Sequence, residues 1–467
     1  MSMLLLNSRR GLAVARAISL GCRIMSSTPK AATTVESSLS ATQQEQHATA
    51  AVYFDHDGGN DDFVALCYLL KHEHRFDLLG VSVTPANSWE GAGTRATRKI
   101  LRTFSNKHCS SSPFSSSSTQ GKIPVAESTL RGVNAFPDAW RHDACRVNLL
   151  PQLNGFETEE QALRLEEGMD DPSNARSGQL LLAQTLLGSE SKVTVIATGP
   201  LTNLAWVLDN HPEASSKIDK VLIMGGAIDV PGNVFADDVK GFDGTAEWNI
   251  FWDPWAAKRV WDSSLQLVLT PLDATDEVPI TKETLLRLSR QNHCASSTFV
   301  GSIWAMAGAH LMETKSRPFF AWDLLTVAQL VHPELFTTSE LECDVVVEGA
   351  SQGRIVRTAG NSGRGTDKSV YRVFWYILAP SDNEPQQRQP PKTHPSLPPH
   401  PPRPPRPPLA CVMMHIHTSW CTGGDDVGSG RTVTVIRARD ADKLVDVILT
   451  NLCSSCDGAD GTGTTSS

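Results

Sequence analysis

The sequence predicts an α/β fold: a single domain with a mostly parallel, Rossmann-like central sheet flanked by helices. Three observations point there. Short apolar runs alternate with stretches of helical period from about residue 50 onward. Glycine turns such as Gly58-Gly59 and Gly225-Gly226 follow two of the runs. Carboxylates gather where the first run ends, the edge at which open α/β sheets place their ligands.

Residues 1–46 read as a leader, since Arg9, Arg10, Arg16, Arg23 and Lys30 precede the first acid, Glu36. That composition suits a mitochondrial transit peptide or the disordered tail of a cytoplasmic protein. The folded part, 50–450, opens on the strand that ends at Asp55-His56-Asp57-Gly58-Gly59-Asn60-Asp61-Asp62. Phe63, Leu66, Cys67, Leu69 and Leu70 then keep helical spacing. Asp55, Asp57, Asp61 and Asp62 are expected to converge at the strand's end. Helix capping accounts for one or two of them, not four. So many carboxylates repel one another unless a cation joins them, and all-oxygen ligands favour a hard ion, Ca²⁺ or Mg²⁺. Alternation along the strand directs His56 away, to a structural role.

A second strand, 78–84, leads to Asn87, within reach of the same crevice. A helix follows over 94–104, and then a serine-rich surface insertion, 105–120. The loop 134–140 carries Phe136 and Trp140, which either pack on their own domain or cover a ligand. Residues 150–176 are acidic and weakly patterned. A helix at 178–187 precedes a strand at 193–198, and Gly199-Pro200 opens the next helix. A strand at 221–224 precedes Gly225-Gly226. The polar stretch 231–249 is long enough to point to function. A helix at 254–261, a short strand at 268–269, helices over 297–313 and 322–331, and a hairpin pair at 343–348 and 353–358 complete the main body. Residues 359–430 are an insertion whose proline-dominated part, 380–408, is a polyproline II spacer. A strand at 432–438 and a helix at 440–449 rejoin the same sheet, and 451–467 is a disordered tail.

The bulk numbers exclude some partners. Over 467 residues the net charge is −9 and no basic stripe stands out, which argues against nucleic acid. No apolar run reaches the roughly 18 residues of a membrane span. The ten cysteines form no framework and fit a reducing compartment. Cys411, His415, His417 and Cys421 match no compact zinc module, and Cys453 with Cys456 is a CxxC in the tail.

The clustered aspartates of 55–62, Thr198-Gly199-Pro200-Leu201-Thr202-Asn203, Met224-Gly225-Gly226, then Asn233 with Glu247-Trp248-Asn249, and Ala321-Trp322-Asp323 together resemble the nucleoside hydrolase family. The resemblance spans 50–358 and resumes at 432–450. Trp140 and the Trp322-Asp323 pair are similar to its purine-preferring (inosine–adenosine–guanosine) branch; other branches place a histidine where Trp322 stands. The resemblance implies Ca²⁺ held by Asp57, Asp62, Asp323 and the main-chain carbonyl of Thr198, with two ribose hydroxyls and a water completing the shell. Asp57 doubles as general base on that water. Asp61 and Asn249 accept from the ribose hydroxyls, Asn233 and Glu247 hold the 5′-hydroxyl, and Met224 packs beneath the sugar. Trp140 and Trp322 stack on the leaving base. Relatives often carry Asp where Asn87 falls. Assembly as a dimer or tetramer is also implied.

Other readings remain open at this point. Asp55-His56-Asp57 after a strand also looks like the nucleophile pair of an aspartyl phosphohydrolase, although Gly59 stands where that chemistry wants Thr or Val. A non-catalytic nucleoside binder on the same scaffold is opposed by the complete Asp57, Asp62 and Asp323 set. A broad or pyrimidine-accepting hydrolase is the alternative within the family.

Overall fold

The first strand, β1 (Ala50–His56), alternates faces as its pleat requires. Val52 and Phe54 enter one apolar cluster, Ala51 and Tyr53 the other, so both faces of the sheet are covered. The computed structural model describes residues 49–105, 123–155, 177–235, 237–308, 318–358 and 430–454. Around β1 lie β2 (Phe76–Val83), β3 (Val125–Glu127), β4 (Val193–Ala197), β5 (Ile218–Met224), β6 (Leu267–Thr270), β7 (Phe336–Val345), β8 (Ile355–Arg357) and β9 (Arg431–Ala438). They form one sheet in the order β3-β2-β1-β4-β5-β6-β9-β7-β8. Pairing is parallel from β3 through to β9; β7 runs antiparallel to both β9 and β8.

Chain order steps outward from β1 in one direction and from β4 in the other. The carboxyl ends of these two neighbours therefore part and leave a crevice, the switch point of an open α/β sheet. On the Val52 side pack α1 (Asn60–Lys71), α2 (Ala92–Phe104), α3 (Asp143–Val147), α8 (Lys282–Arg290), α9 (Ala295–Ala307), α10 (Trp322–Val331) and α11 (Ala441–Cys453). On the Tyr53 side pack α4 (Gly178–Gly188), α5 (Thr202–Asn210) and α7 (Pro254–Trp261). The short α6 (Trp248–Trp252) lies in the connection after β5.

Several elements differ from expectation. The helix α8 was hidden by its polarity: only Thr284 and Leu288 are buried, and the Thr281 hydroxyl caps its start. β7 begins at Phe336, well before the expected hairpin arm, because its long partner is β9; polar residues on its exposed side masked it. The last helix extends to Cys453, past the boundary expected at 450. Cys294 and Cys453 are joined in a disulfide, so the reading of unpaired thiols is corrected; their 159-residue separation leaves no spacing signal. Cys67 is a buried free thiol, as its apolar surroundings suggest. Among the described residues no helix is long and apolar enough to cross a membrane. The leader, most of the serine-rich loop, the proline-rich insertion with Cys411 to Cys421, and Cys456 lie outside the described residues.

Candidate active site

Asp57 follows β1 directly, and the chain then turns at Gly58 with φ 83°. A Cβ there would stand 2.4 Å from Ser88 Oγ, so the turn requires glycine. It lets α1 start at once, with Asp61 and Asp62 in its first turn. Asp62 folds back over the helix start. Its Oδ2 accepts from the amides of Gly59 at 2.8 Å and Asp57 at 3.2 Å, and its Oδ1 from Thr198 Oγ1 at 2.5 Å. The helix N-terminus favours a negative charge there. Burial pushes the Asp62 pKa up, but the His56 ring, 3.6 Å away, and hydrogen bonds from Asp57 and Thr198 carry it below the usual range.

Its neighbours go the other way. Asp57 and Asp323, both buried, are held well above the carboxylate range, by burial first and then by the surrounding carboxyls. Asp61 keeps partial access to solvent, yet burial of its carboxyl and the Asp62 charge push it up to about 7. Asp323 arrives on the first turn of α10. The end of β4 presses against the cluster, since a Cβ on Gly199 would fall 2.8 Å from that of Asp57. Thr198 is thereby beside Asp62, and its carbonyl accepts from Asn249 Nδ2 at 3.1 Å.

Asp55 does not join the cluster. It lies on the Tyr53 side of β1, where Oδ1 accepts from Ser82 Oγ at 2.6 Å and Asn203 Nδ2 at 2.8 Å. The expectation of four converging strand-end carboxylates is corrected to three plus Asp323. His56 does not point away either: its Nδ1 accepts from the Gly58 amide at 3.1 Å and its Nε2 meets Thr97 Oγ1 at 3.0 Å, a packing role beside Asp62.

The sugar-side residues are knitted together. Glu247 caps α6, accepting from the amides of Asn249 at 2.8 Å, Ile250 at 3.2 Å and Gly226 at 3.0 Å; burial raises it to about 7. Asn233 Oδ1 accepts from the Trp248 amide at 3.0 Å. Asn249 also reaches the carbonyl of Met224 at 3.2 Å, and Met224 is buried among Ala227, Leu272 and Trp322. Asn87 approaches Gly59 beside Asp61, and its Oδ1 is buried without a partner. The two candidate base-stacking rings have different neighbours. Trp140 packs on Phe136 and Trp248, the latter at 5.2 Å, whereas Trp322 packs on Phe319 at 4.7 Å and Phe320 at 5.7 Å. The Trp322 Nε1–H is buried without a partner.

The donor set fits a hard cation. Among the described residues no ion pair joins Asp57, Asp61, Asp62 or Asp323 to Lys or Arg; the His56 ring and hydrogen-bond donors ease the charge on Asp62, while Asp57, Asp61 and Asp323 are pushed towards their protonated forms. Among the described residues only His293, Cys294 and Cys453 bring three ligand atoms within 4.8 Å of one another, and that pair of sulfurs is already a disulfide. The carboxylate cluster is looser. Ligands on opposite sides of calcium, with bonds of about 2.3–2.6 Å, stand up to about 5 Å apart.

The sequence matches the inosine-uridine preferring nucleoside hydrolase family over residues 52–389. The chain belongs to that family. As a nucleoside hydrolase it acts on the N-glycosyl bond of ribonucleosides. It is 36% identical over 307 residues to the pyrimidine-specific ribonucleoside hydrolase RihA of Klebsiella pneumoniae strain 342, covering 65% of this chain and 86% of that protein. RihA of Klebsiella pneumoniae strain ATCC 700721 / MGH 78578 is 30% identical over 310 residues, covering 65% and 87%. The inosine-uridine preferring nucleoside hydrolase of Bacillus anthracis shares the fold with a TM-score of 0.60 at 28% identity, over 87% of this chain and 99% of that one. A purine-preferring ribonucleoside hydrolase from Gardnerella vaginalis shares the fold with a TM-score of 0.54 at 19% identity, over 86% and 98%.

Sequence reasoning missed Ser82 and Ser88, which fix Asp55 and the Asp57 carbonyl, and Asn60, which reaches Asp143. A lone serine at a strand end carries no signal of its own. Asn60 stood inside the aspartate motif and was passed over because the carboxylates around it explained the motif.

Proposed function

We propose that this nucleoside hydrolase prefers purine ribonucleosides and holds Ca²⁺ through Asp57, Asp62, Asp323 and the Thr198 carbonyl, with Asp57 as the general base. The observation that carries the reading is the group of carboxyls drawn from the end of β1 and the first turns of α1 and α10, with no Lys or Arg ion-paired to them among the described residues. A bound calcium ion would supply the charge that keeps these groups ionised and would fix the ribose diol. With its carboxyl ionised, Asp57 takes a proton from the attacking water. Asp61 accepts from one ribose hydroxyl and Asn249 engages another, while Asn233 and Glu247 hold the 5′-hydroxyl over Met224. Breaking the N-glycosidic bond builds positive charge on the ribose, which the surrounding carboxylates stabilise without reorganising.

The leaving base must also be activated, and no histidine stands at position 322. Trp140 and Trp322 stack on the purine, which favours its protonation by analogy with cation–π attraction. The unpartnered Trp322 Nε1–H and Asn87 Oδ1 offer a donor and an acceptor to the substrate. A pyrimidine preference is the second reading, favoured by the 36% identity to RihA. Ranking inosine, guanosine, adenosine, uridine and cytidine by kcat/KM separates them: the proposal requires the purines to lead, and uridine or cytidine in front overturns it. The homo-oligomer, a dimer or tetramer, belongs to the same proposal and is read by light scattering.

A further inference from the structure

We infer that Asn60 is a positioning residue that fastens the turn carrying Trp140 to the carboxylate loop. The inference rests on the proposed role of Trp140 at the leaving base. Asn60 is the first residue of α1, wedged between Gly59 and Asp61 and 3% exposed. Its Nδ2 donates to Asp143 Oδ2 at 2.8 Å. Asp143 opens α3, immediately after the Trp140–His142 turn. Its other oxygen, Oδ1, is taken by Arg146 Nη1 at 2.8 Å, which leaves Oδ2 committed to Asn60.

A second connection reaches the same loop from the other side. The Arg141 guanidinium donates to the Ser88 carbonyl, with Nε and Nη2 each at 3.3 Å, and lies 4.0 Å over the Trp89 ring. Ser88 Oγ in turn donates to the Asp57 carbonyl at 2.9 Å. Two tethers thus hold the chain just after Trp140, at Arg141 and Asp143, and both end on the segment Asp57 to Asp62. Packing on Phe136 and Trp248 holds the Trp140 ring, but a turn loosened from the acid cluster would have to settle further when substrate binds, at a cost to affinity. The tethers set that order beforehand and tie the base-side ring to the acid cluster as one body.

The test uses the full-length enzyme and two readouts. In Asn60→Ala and in Asp143→Ala, the amides of residues 136–147 should exchange hydrogen about tenfold faster in the substrate-free protein, while those of β1 stay as in the parent. KM for the best nucleoside should rise about tenfold, with kcat changed less than twofold. The double alanine variant should be no worse than either single. Asn60→Asp, which sets two carboxyls against each other, should be repaired by adding Asp143→Asn. Unchanged exchange over 136–147 overturns the inference whatever the kinetics, as do additive losses or a fall in kcat at constant KM. If Trp140→Ala leaves the KM of every nucleoside at the parental value, the stacking proposal fails instead, and the exchange data still decide the tether. Asp143→Ala, at a surface turn, keeps the test alive if Asn60→Ala does not fold.

Discussion

Stripping divalent cations from this enzyme should destabilise it more at pH 8 than at pH 5. Burial, and then mutual repulsion, hold Asp57 and Asp323 well above the carboxylate range and bring Asp61 to about 7. A carboxyl raised on folding contributes stability that is full below its unfolded pKa, about 4, and lost as pH rises through the folded value. The cation-free protein therefore weakens from about pH 4 to 7 through Asp61, and further at higher pH through Asp57 and Asp323. The partly solvated Asp61 is worth only about 1–2 kcal/mol after screening. Glu247, 2% exposed and raised from 4.5 to about 7, adds about 3 kcal/mol that calcium does not restore, because its oxygens cap α6. Calcium at a hundredfold its Kd returns about 2.7 kcal/mol, roughly 5 °C in Tm for a domain of this size. At pH 5 the ion must first displace protons, so the increment shrinks. Differential scanning fluorimetry with chelator and with saturating calcium, at both pH values, reads this out. Equal Tm with and without calcium at pH 8, or an increment as large at pH 5, would refute the reasoning.

Three further outcomes follow from named contacts. Trp322→Ala should lower kcat on inosine by about 10²-fold, but spare a nitrophenyl riboside whose leaving group needs no acid; equal losses on both substrates count against the stacking role. Gly58→Ala forces a side chain into the φ 83° turn and against Ser88, costing about 1–2 kcal/mol in backbone alone; circular dichroism should show a folded protein with most of its activity gone. Cys294→Ser opens the 159-residue closure to Cys453 and should cost at most about 5 kcal/mol of stability, read as a fall in Tm that reductant reproduces in the parent, with activity at 25 °C retained.

The parallel core of the sheet was legible because β1, β4 and β5 are apolar runs flanked by glycine, the pattern of strands buried on both faces. β7 was only half legible: its outward residues Thr337 to Glu340 are polar, and its partner β9 lies beyond the long insertion. In the site, local signals were strong and distant ones weak. Asp57, Asp61 and Asp62 share one turn, and their clustering is visible in the string of residues. Asp55 shares the motif yet faces the other side of the sheet, a distinction set by the strand's alternation. His56 keeps to the Phe54 side of the sheet, where α1 packs, so the alternation itself brings it beside Asp62. The joining of Asp323 to the cluster was foreseeable only through resemblance, because no local pattern couples the start of α10 to that of α1.

The central claim is that buried carboxylates grip a hard cation and that Asp57 then draws the proton from water. The most direct measurement is the single-turnover release of hypoxanthine and ribose from inosine by Asp57→Asn, with calcium saturating. The account predicts a loss of at least about 10³-fold in a protein of parental secondary structure. A parental rate would contradict it.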